Sequence, residues 1–257
     1  MQQHTRFITV TVLKIGRSLD TRQVHIWIFE LSAPAIAVES LRNYLDQDEL
    51  ARAERFRFQH LRVAYITSHG LLRRLLTRYV DVNPGELRFK YNEHGKPYFA
   101  DPNCNLRFNL SHSGTLGACA FALDCEIGID IEQIRAMPDL FAIARRFFGP
   151  DEFRDLESVA ENEREAAFFN CWTRKEAYVK AIGGGLSVPL ESFRVSLLER
   201  EPARLLRPQP ADPGRWTIQE FDPGPGYRGA VAYKENPRHL VIYRTSAEEC
   251  LRGFHEV

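Results

Sequence analysis

The chain has 257 residues, 44% of them apolar and 26% charged, with 34 basic residues balancing 34 acidic ones. This is enough chain to bury roughly 70–75% of its unfolded surface in one large or two modest units, and zero net charge excludes a whole-protein basic field for nucleic acid, so any anion site must be local. No apolar run approaches the roughly 18 residues of a membrane span, and five cysteines without a CxxC pair fit reduced thiols in a cytoplasmic protein, not a disulfide framework or a zinc site.

The opening segment "MQQHTRFITVTVLKIGRS" holds a short β-like run without a signal-peptide layout. "VHIWIF" (24–29) reads as a strand, and 47–80 as two helical stretches in which Leu71, Leu72, Leu75, Leu76 and Tyr79 recur at helical spacing. "VNPGEL" is a turn, and "LRFKYNEHGKPYF" is strand, tight turn, strand. "RFNLSHSG" (107–114) looks like a tight polar turn after an apolar run, followed by the buried strand "LGACAFAL" and a further strand "EIGIDIE". Residues 138–180 read as mostly helical with a break at "FFGPDE", where Pro150 suits a first helical turn with Asp151 and Glu152 behind it. Gly183 to Gly185 end the last helix. "SFRVSLL", "RWTIQEF", "YRGAVAY" and "HLVIYR" are strands joined by Pro/Gly-rich turns. The order is mixed, with hairpin signals, so the expected class is α+β, divided into residues 1–125 and 126–257.

In "GIDIE", a strand puts Ile129 and Ile131 on one face and Asp130 and Glu132 on the other, the two carboxylates about 6.5–7 Å apart at Cα. Both can then reach one hard cation such as Mg²⁺, although a lone D-x-E is more often the wet face of an amphipathic strand. In "FFNCWTRKEAYVKAIGGG", at about 100° per residue, Trp172, Lys175, Glu176, Val179 and Lys180 share an arc of roughly 140°. Charges on an arc that should be apolar need partners. Glu176 and Lys180 are either an ordinary i,i+4 surface pair or a third carboxylate beside phosphate-binding lysines. There is no Walker A and no GxGxxG. "HGKP" alone is turn chemistry, and the arginines of 51–78 are mostly solvated, with one or two free to hold a phosphate.

Four blocks stand in one order: "GKP", "FNLSHSG", "GIDIE" and "WTRKEAYVKAIGGGL". Together they closely resemble the Sfp-type 4′-phosphopantetheinyl transferases, with weaker similarity on both sides. The resemblance implies two similar α/β halves related by a pseudo-twofold axis, with coenzyme A between them. It implies Asp130, Glu132 and Glu176 as ligands of Mg²⁺, with Mn²⁺ as an alternative. Glu176 is a candidate base and Lys180 a pyrophosphate contact, and both are taken as catalytic with Asp130. Lys175 is expected on a coenzyme A phosphate, Lys96 and Pro97 beside the adenosine end, Ser111 on coenzyme A and His112 on its 3′-phosphate. Arg62 and Arg55 fall near that phosphate in a loose register. Ser113 is left to turn chemistry with Gly114, and "GGG" departs from the family's usual G-x-G.

The implied reaction moves the phosphopantetheine arm of coenzyme A onto a serine of an acyl or peptidyl carrier protein, releasing adenosine 3′,5′-bisphosphate. The chain is expected to be a cytoplasmic monomer without nucleic-acid or membrane partners. Two other readings remain at this point. A serine hydrolase would use Ser111 or Ser113 with His112, but "NLSHSG" lacks the G-x-S-x-G elbow. A non-catalytic binding module would have no use for three carboxylates.

Overall fold

A computed structural model describes residues 19–198, 201–208 and 214–252; the β-like run of the first 18 residues lies outside them. The first strand, β1 (Gln23–Glu30), leads into three helices, α1 (Ala35–Arg42), α2 (Gln47–Glu54) and α3 (Gln59–Leu76). The short hairpin β2 (Phe89–Tyr91) and β3 (Pro97–Phe99) follows, then β4 (Leu106–Ser113) and β5 (Leu116–Leu123). α1 carries no strong periodic stripe in the sequence and was not expected. "RFNLSHSG" is not a turn up to Gly114: Ser111, His112 and Ser113 belong to β4, and the chain reverses at Gly114–Thr115.

The second half begins with β6 (Ile127–Gln133), then α4 (Leu140–Phe147), α5 (Pro150–Glu157), with Pro150 in the first turn as expected, and the long α6 (Arg164–Ile182). Short strands β7 (Arg194–Val195) and β8 (Leu205–Arg207) precede β9 (Trp216–Phe221), β10 (Tyr227–Lys234), β11 (His239–Thr245) and α7 (Ala247–Arg252). α6 ends at Gly183, whose φ of 71° is the left-handed C-cap conformation. No helix among the described residues is long and apolar enough to cross a membrane.

Two main sheets result, in the orders β11-β1-β5-β4 and β6-β10-β9, beside the two-stranded pairs β2-β3 and β7-β8. Within each half the chain runs strand, helix, strand, strand, and the third strand pairs antiparallel between the other two, as β1-β5-β4 and as β6-β10-β9. The division at 125/126 is not clean, because β11 pairs parallel with β1 at the edge of the first sheet. Ala247 and Cys250 of α7 then bury in the first half's helical core beside Leu41 and Leu75. Alternation explains how one strand serves two cores: Val24, Ile26 and Ile28 of β1 meet Ile127, Ile129 and Ile131 of β6 between the sheets, while Trp27 and Phe29 turn to the helices.

β4 and β6 are joined by side chains, not by a backbone ladder. Asn109 Oδ1 accepts from the amide of Ile129 at 2.9 Å, Ser111 Oγ from Ile131 at 3.3 Å and Ser113 Oγ from Gln133 at 3.2 Å. Three alternate residues of one strand thus serve three alternate amides of the other, which satisfies the edge of β6 while holding the two backbones apart. The far face of β6 meets α6 at Gly128, where any Cβ would lie 2.2 Å from the Ala177 carbonyl oxygen. Glycine is required there for the helix to lie against the strand, and that contact brings Lys180 within reach of Asp130.

Candidate active site

The seam between β4 and β6 opens into a cleft of two adjoining cavities of about 760 and 520 Å³. Both are lined by Pro97, Asn109, Leu110, Trp172, Glu176 and Lys180. Asp130, Glu132 and His112 face the smaller one. Sequence-distant blocks therefore meet: β4 from the first half, β6 and α6 from the second.

Each serine of β4 holds one carboxylate. Ser111 Oγ donates to Asp130 Oδ1 at 2.9 Å, and Ser113 Oγ donates to Glu132 Oε2 at 2.5 Å. Lys180 Nζ donates to Asp130 Oδ1 at 2.6 Å and to Ser111 Oγ at 2.9 Å. Ser111 Oγ, with one donation and two acceptances, has used the whole hydrogen-bonding capacity of a hydroxyl. It lines the cleft but has no donor left for a ligand, so it acts by aligning Asp130 and Lys180. Ser113 is likewise a carboxylate partner, not turn chemistry. Neither hydroxyl donates to His112, which removes the triad a hydrolase would need.

Lys180 takes Asp130 as its partner, so the Glu176–Lys180 surface pair does not form as an ion pair among the described residues. Asp130 is 4% exposed. Burial pushes its carboxyl above the usual range against the pull of Lys180. Glu132 is raised by burial, with the Asp130 charge adding to it. Glu176 is raised by burial and by both other carboxylates, and Lys180 opposes the shift. Desolvation and the Lys180 ammonium lower the pKa of His112. The Asp130 charge raises Glu132, both other acids raise Glu176, and Lys180 opposes the shift of each of the three.

A divalent cation fits this chemistry in part. Among the described residues, no three His, Cys, Asp or Glu side chains are already drawn together as a closed metal centre. Asp130 Oδ2, however, is buried without a hydrogen-bond partner among the described residues, and three mutually repelling carboxylates are the hard oxygen donors that Mg²⁺ takes.

Lys175 is not at the cleft. Its ammonium is fully buried on the opposite side of α6, 2.7 Å from Glu152 Oε2 and bonded to the carbonyls of Leu190 and Phe193 at 2.7 and 2.9 Å. Glu176, about 100° further around α6, lines the cleft, so the two neighbours of the motif face different surroundings. Arg62 is also outside: its guanidinium reaches Glu54 at 3.4 Å and the Phe56 carbonyl at 3.3 Å across the α2–α3 elbow. Arg55, the C-cap of α2, is exposed and lines neither cavity. Lys96 and Pro97 do line the larger cavity, but Lys96 Nζ is engaged with the Ala181 carbonyl at 2.8 Å and Glu126 at 3.1 Å, capping the end of α6.

Of the arginines in residues 51–78, the one that lines the cleft is Arg52, on α2, over the ring of Tyr91 at 5.4 Å to the centroid. The signal for it was present in the sequence. Asp46 and Glu49 form a capping box that fixes where α2 starts. Arg52, three residues after Glu49, then shares its face, whereas Arg55 and Arg62 fall beyond the helix or turn across its end.

The fold and site together define an enzyme class: an α+β protein whose seam sets acids and a lysine against a basic, aromatic wall. Comparison with known proteins names it. Residues 126–232 match the family model of the 4′-phosphopantetheinyl transferase superfamily, and residues 36–123 match that of the 4′-phosphopantetheinyl transferase N-terminal region. The chain is 40% identical over 212 residues to the 4′-phosphopantetheinyl transferase HetI of Nostoc sp., covering 82% of this chain and 87% of that one. It is 36% identical over 200 residues to the 4′-phosphopantetheinyl transferase Sfp of Bacillus subtilis, covering 76% and 85%. A solved holo-[acyl-carrier-protein] synthase from Thermotoga maritima aligns with a TM-score of 0.34 at 22% identity, over 43% of this chain and 63% of that one. The chain belongs to the 4′-phosphopantetheinyl transferase superfamily, on the strength of the two relatives.

Proposed function

We propose that this enzyme transfers the 4′-phosphopantetheine arm of coenzyme A to a serine of an acyl or peptidyl carrier protein, using the β4–β6–α6 seam as its active site. The observation that carries the assignment to this seam is the trio Asp130, Glu132 and Glu176 around Lys180. The carrier supplies the nucleophile, which accounts for a site whose own serines are spent on carboxylates. The serine oxygen forms a bond to the β-phosphorus, the bond from that phosphorus to the bridging oxygen breaks, and adenosine 3′,5′-bisphosphate leaves. Glu176 receives the serine proton; burial and the two neighbouring carboxylates raise its pKa, which strengthens it as a base. Lys180 faces the diphosphate and offsets charge growing on the leaving group. Asp130, Glu132 and Glu176 would hold Mg²⁺ or Mn²⁺, which supplies charge neutralisation of the diphosphate.

The wall of Arg52, His112 and Tyr91 is read as the grip on the adenosine end and its 3′-phosphate, supported by its cationic and aromatic chemistry. Lys96 and Pro97 border the cleft as part of that wall. We read the two β-α-β-β units as halves related by a pseudo-twofold axis; the shared strand order supports this. The enzyme is further read as a cytoplasmic monomer, in keeping with five free cysteines, all buried.

The test is the mass of an apo carrier protein incubated with enzyme, coenzyme A and Mg²⁺. Addition of one phosphopantetheine is expected, and Asp130→Asn and Glu176→Gln should stop it. Wild-type rates in both variants would remove the seam as the active site. His112→Ala should weaken coenzyme A more than its 3′-dephospho form; equal losses would remove that role.

A further inference from the structure

The signature lysine that misses the cleft has its own geometry. Lys175 and Glu152 are both 0% exposed, with Nζ and Oε2 at 2.7 Å. The pair is not isolated. Glu152 Oε2 also accepts from the Gly149 amide at 2.7 Å, and Oε1 from the Val195 amide at 2.7 Å. Lys175 donates to the carbonyls of Leu190 and Phe193 and stands over the Phe193 ring at 4.4 Å. With Glu152 on α5, one buried ion pair therefore ties three segments together: the α4–α5 junction at Gly149, the stretch 190–195 up to β7, and the middle of α6.

Those segments form or adjoin the walls of the larger cavity. Arg146 and Phe147 line it from α4, Val188 and Leu190 from the loop ahead of β7, Trp172 and Glu176 from α6. A buried charge with this cage cannot turn outward without abandoning several acceptors, and either partner alone would be an uncompensated buried charge.

We infer that Lys175 is a positioning residue for transfer, which acts through Glu152 and the 188–193 loop to set the shape of the coenzyme A cleft and never touches the ligand. The inference rests on the transferase reading for its readout.

The experiment compares Lys175→Met, Glu152→Gln and the double variant, each below its melting temperature and with a native circular-dichroism spectrum, in the carrier-loading assay. Lys175→Met should raise KM for coenzyme A, with kcat/KM falling about 100-fold, the scale of an ångström-sized misplacement. The double variant removes both charges and should return KM to within about tenfold of wild type. Glu152→Gln should also raise KM, although residue 152 lies away from the cavity. If Lys175→Met does not fold, Glu152→Gln and the double variant carry the comparison.

A KM that stays at the wild-type value while only kcat or melting temperature falls would mean a merely structural pair and overturn the inference. A double variant as impaired in KM as Lys175→Met, or no better than Glu152→Gln where the single lysine variant is missing, would overturn it by implying direct contact with the ligand. Wild-type enzyme that loads no carrier would instead overturn the transferase reading.

Discussion

The two sides of the cleft are built from opposite chemistry on similar scaffolds. The first half presents hydroxyls, imidazole, tyrosine and Arg52; the second presents three carboxylates and Lys180. Behind each wall stands a buried cation held by its own acid. In the first half it is Arg73, 0% exposed, whose guanidinium bonds Glu49 at 2.7 Å, Asp46 at 2.6 Å and the carbonyls of Pro84 and Leu87. In the second it is Lys175, sealed with Glu152. Arg73 fans out to four acceptors and leaves Asp46 partly wet, with 32% of that side chain exposed. Lys175 is closed on every side. The planar fork of arginine lets one side chain bind two helices and a loop, whereas the point charge of lysine closes a compact cage. Cationic residues in this chain divide into those that face the cleft and those buried behind its walls, and residue type alone does not tell them apart.

The comparison can be broken most directly at the acids. Asp130→Asn and Glu176→Gln should lower kcat by about 10²-fold or more, the usual scale for acid–base and charge-stabilising groups, while variants of the opposite wall keep kcat. Next in size is Arg73→Met, which strands Glu49 and Asp46 and should cost about 3–5 kcal/mol in urea unfolding. A loss below about 1 kcal/mol would mean that Arg73 is not what holds the first wall.

The first half also contains a buried neutral histidine. His25 is 3% exposed, its Nδ1 3.0 Å from the Tyr79 hydroxyl. The Trp27 indole donates to that hydroxyl at 2.9 Å; with His25 Nε2–H facing Gln23 Oε1 at 3.3 Å, Nδ1 of the neutral ring accepts from the Tyr79 hydroxyl. Burial lowers the His25 pKa from 6.5 to about 4. Between these values the unfolded chain binds a proton that the folded chain does not, so stability falls as pH drops through that window, by on the order of 3 kcal/mol in all. Melting curves at pH 7 and pH 4.5 should differ accordingly, and His25→Gln should reduce the difference, leaving the part carried by His69, whose pKa burial also lowers to about 4.

Arg52→Ala sharpens the contrast at smaller scale: KM for coenzyme A should rise about tenfold, as for one lost charged hydrogen bond, with kcat unchanged. Ser113→Ala should have the smallest effect, a few-fold loss in kcat/KM, since it removes about 1 kcal/mol of hydrogen bonding to Glu132. A larger loss than for Glu132→Gln would show that the serine does more than orient that acid.

Much of the site was legible along the chain because strand and helix periods are local. Alternation placed Asp130 and Glu132 on one face, and Gly183 marked the end of α6. The capping box before Arg52 is equally local, a pattern of Asp46 and Glu49 alone. β4 was harder to read: its polar residues look like a turn until β6 is seen to need them as hydrogen-bond partners. β11 could not be assigned to the first sheet at all, since parallel pairing with β1 joins residues more than 200 positions apart and no local pattern encodes it.

By itself, then, the sequence determined the element types, the acidic pair on one strand and the family motif order, all consequences of spacing within a single element. Only the tertiary structure decided which charges face the cleft. Lys175 and Lys180 are five residues apart on one helix, alike in chemistry and inside the same motif. One is drawn into the core by Glu152 and two carbonyls, and the other is left at the seam beside Asp130, because burial is set by what packs against each face of α6.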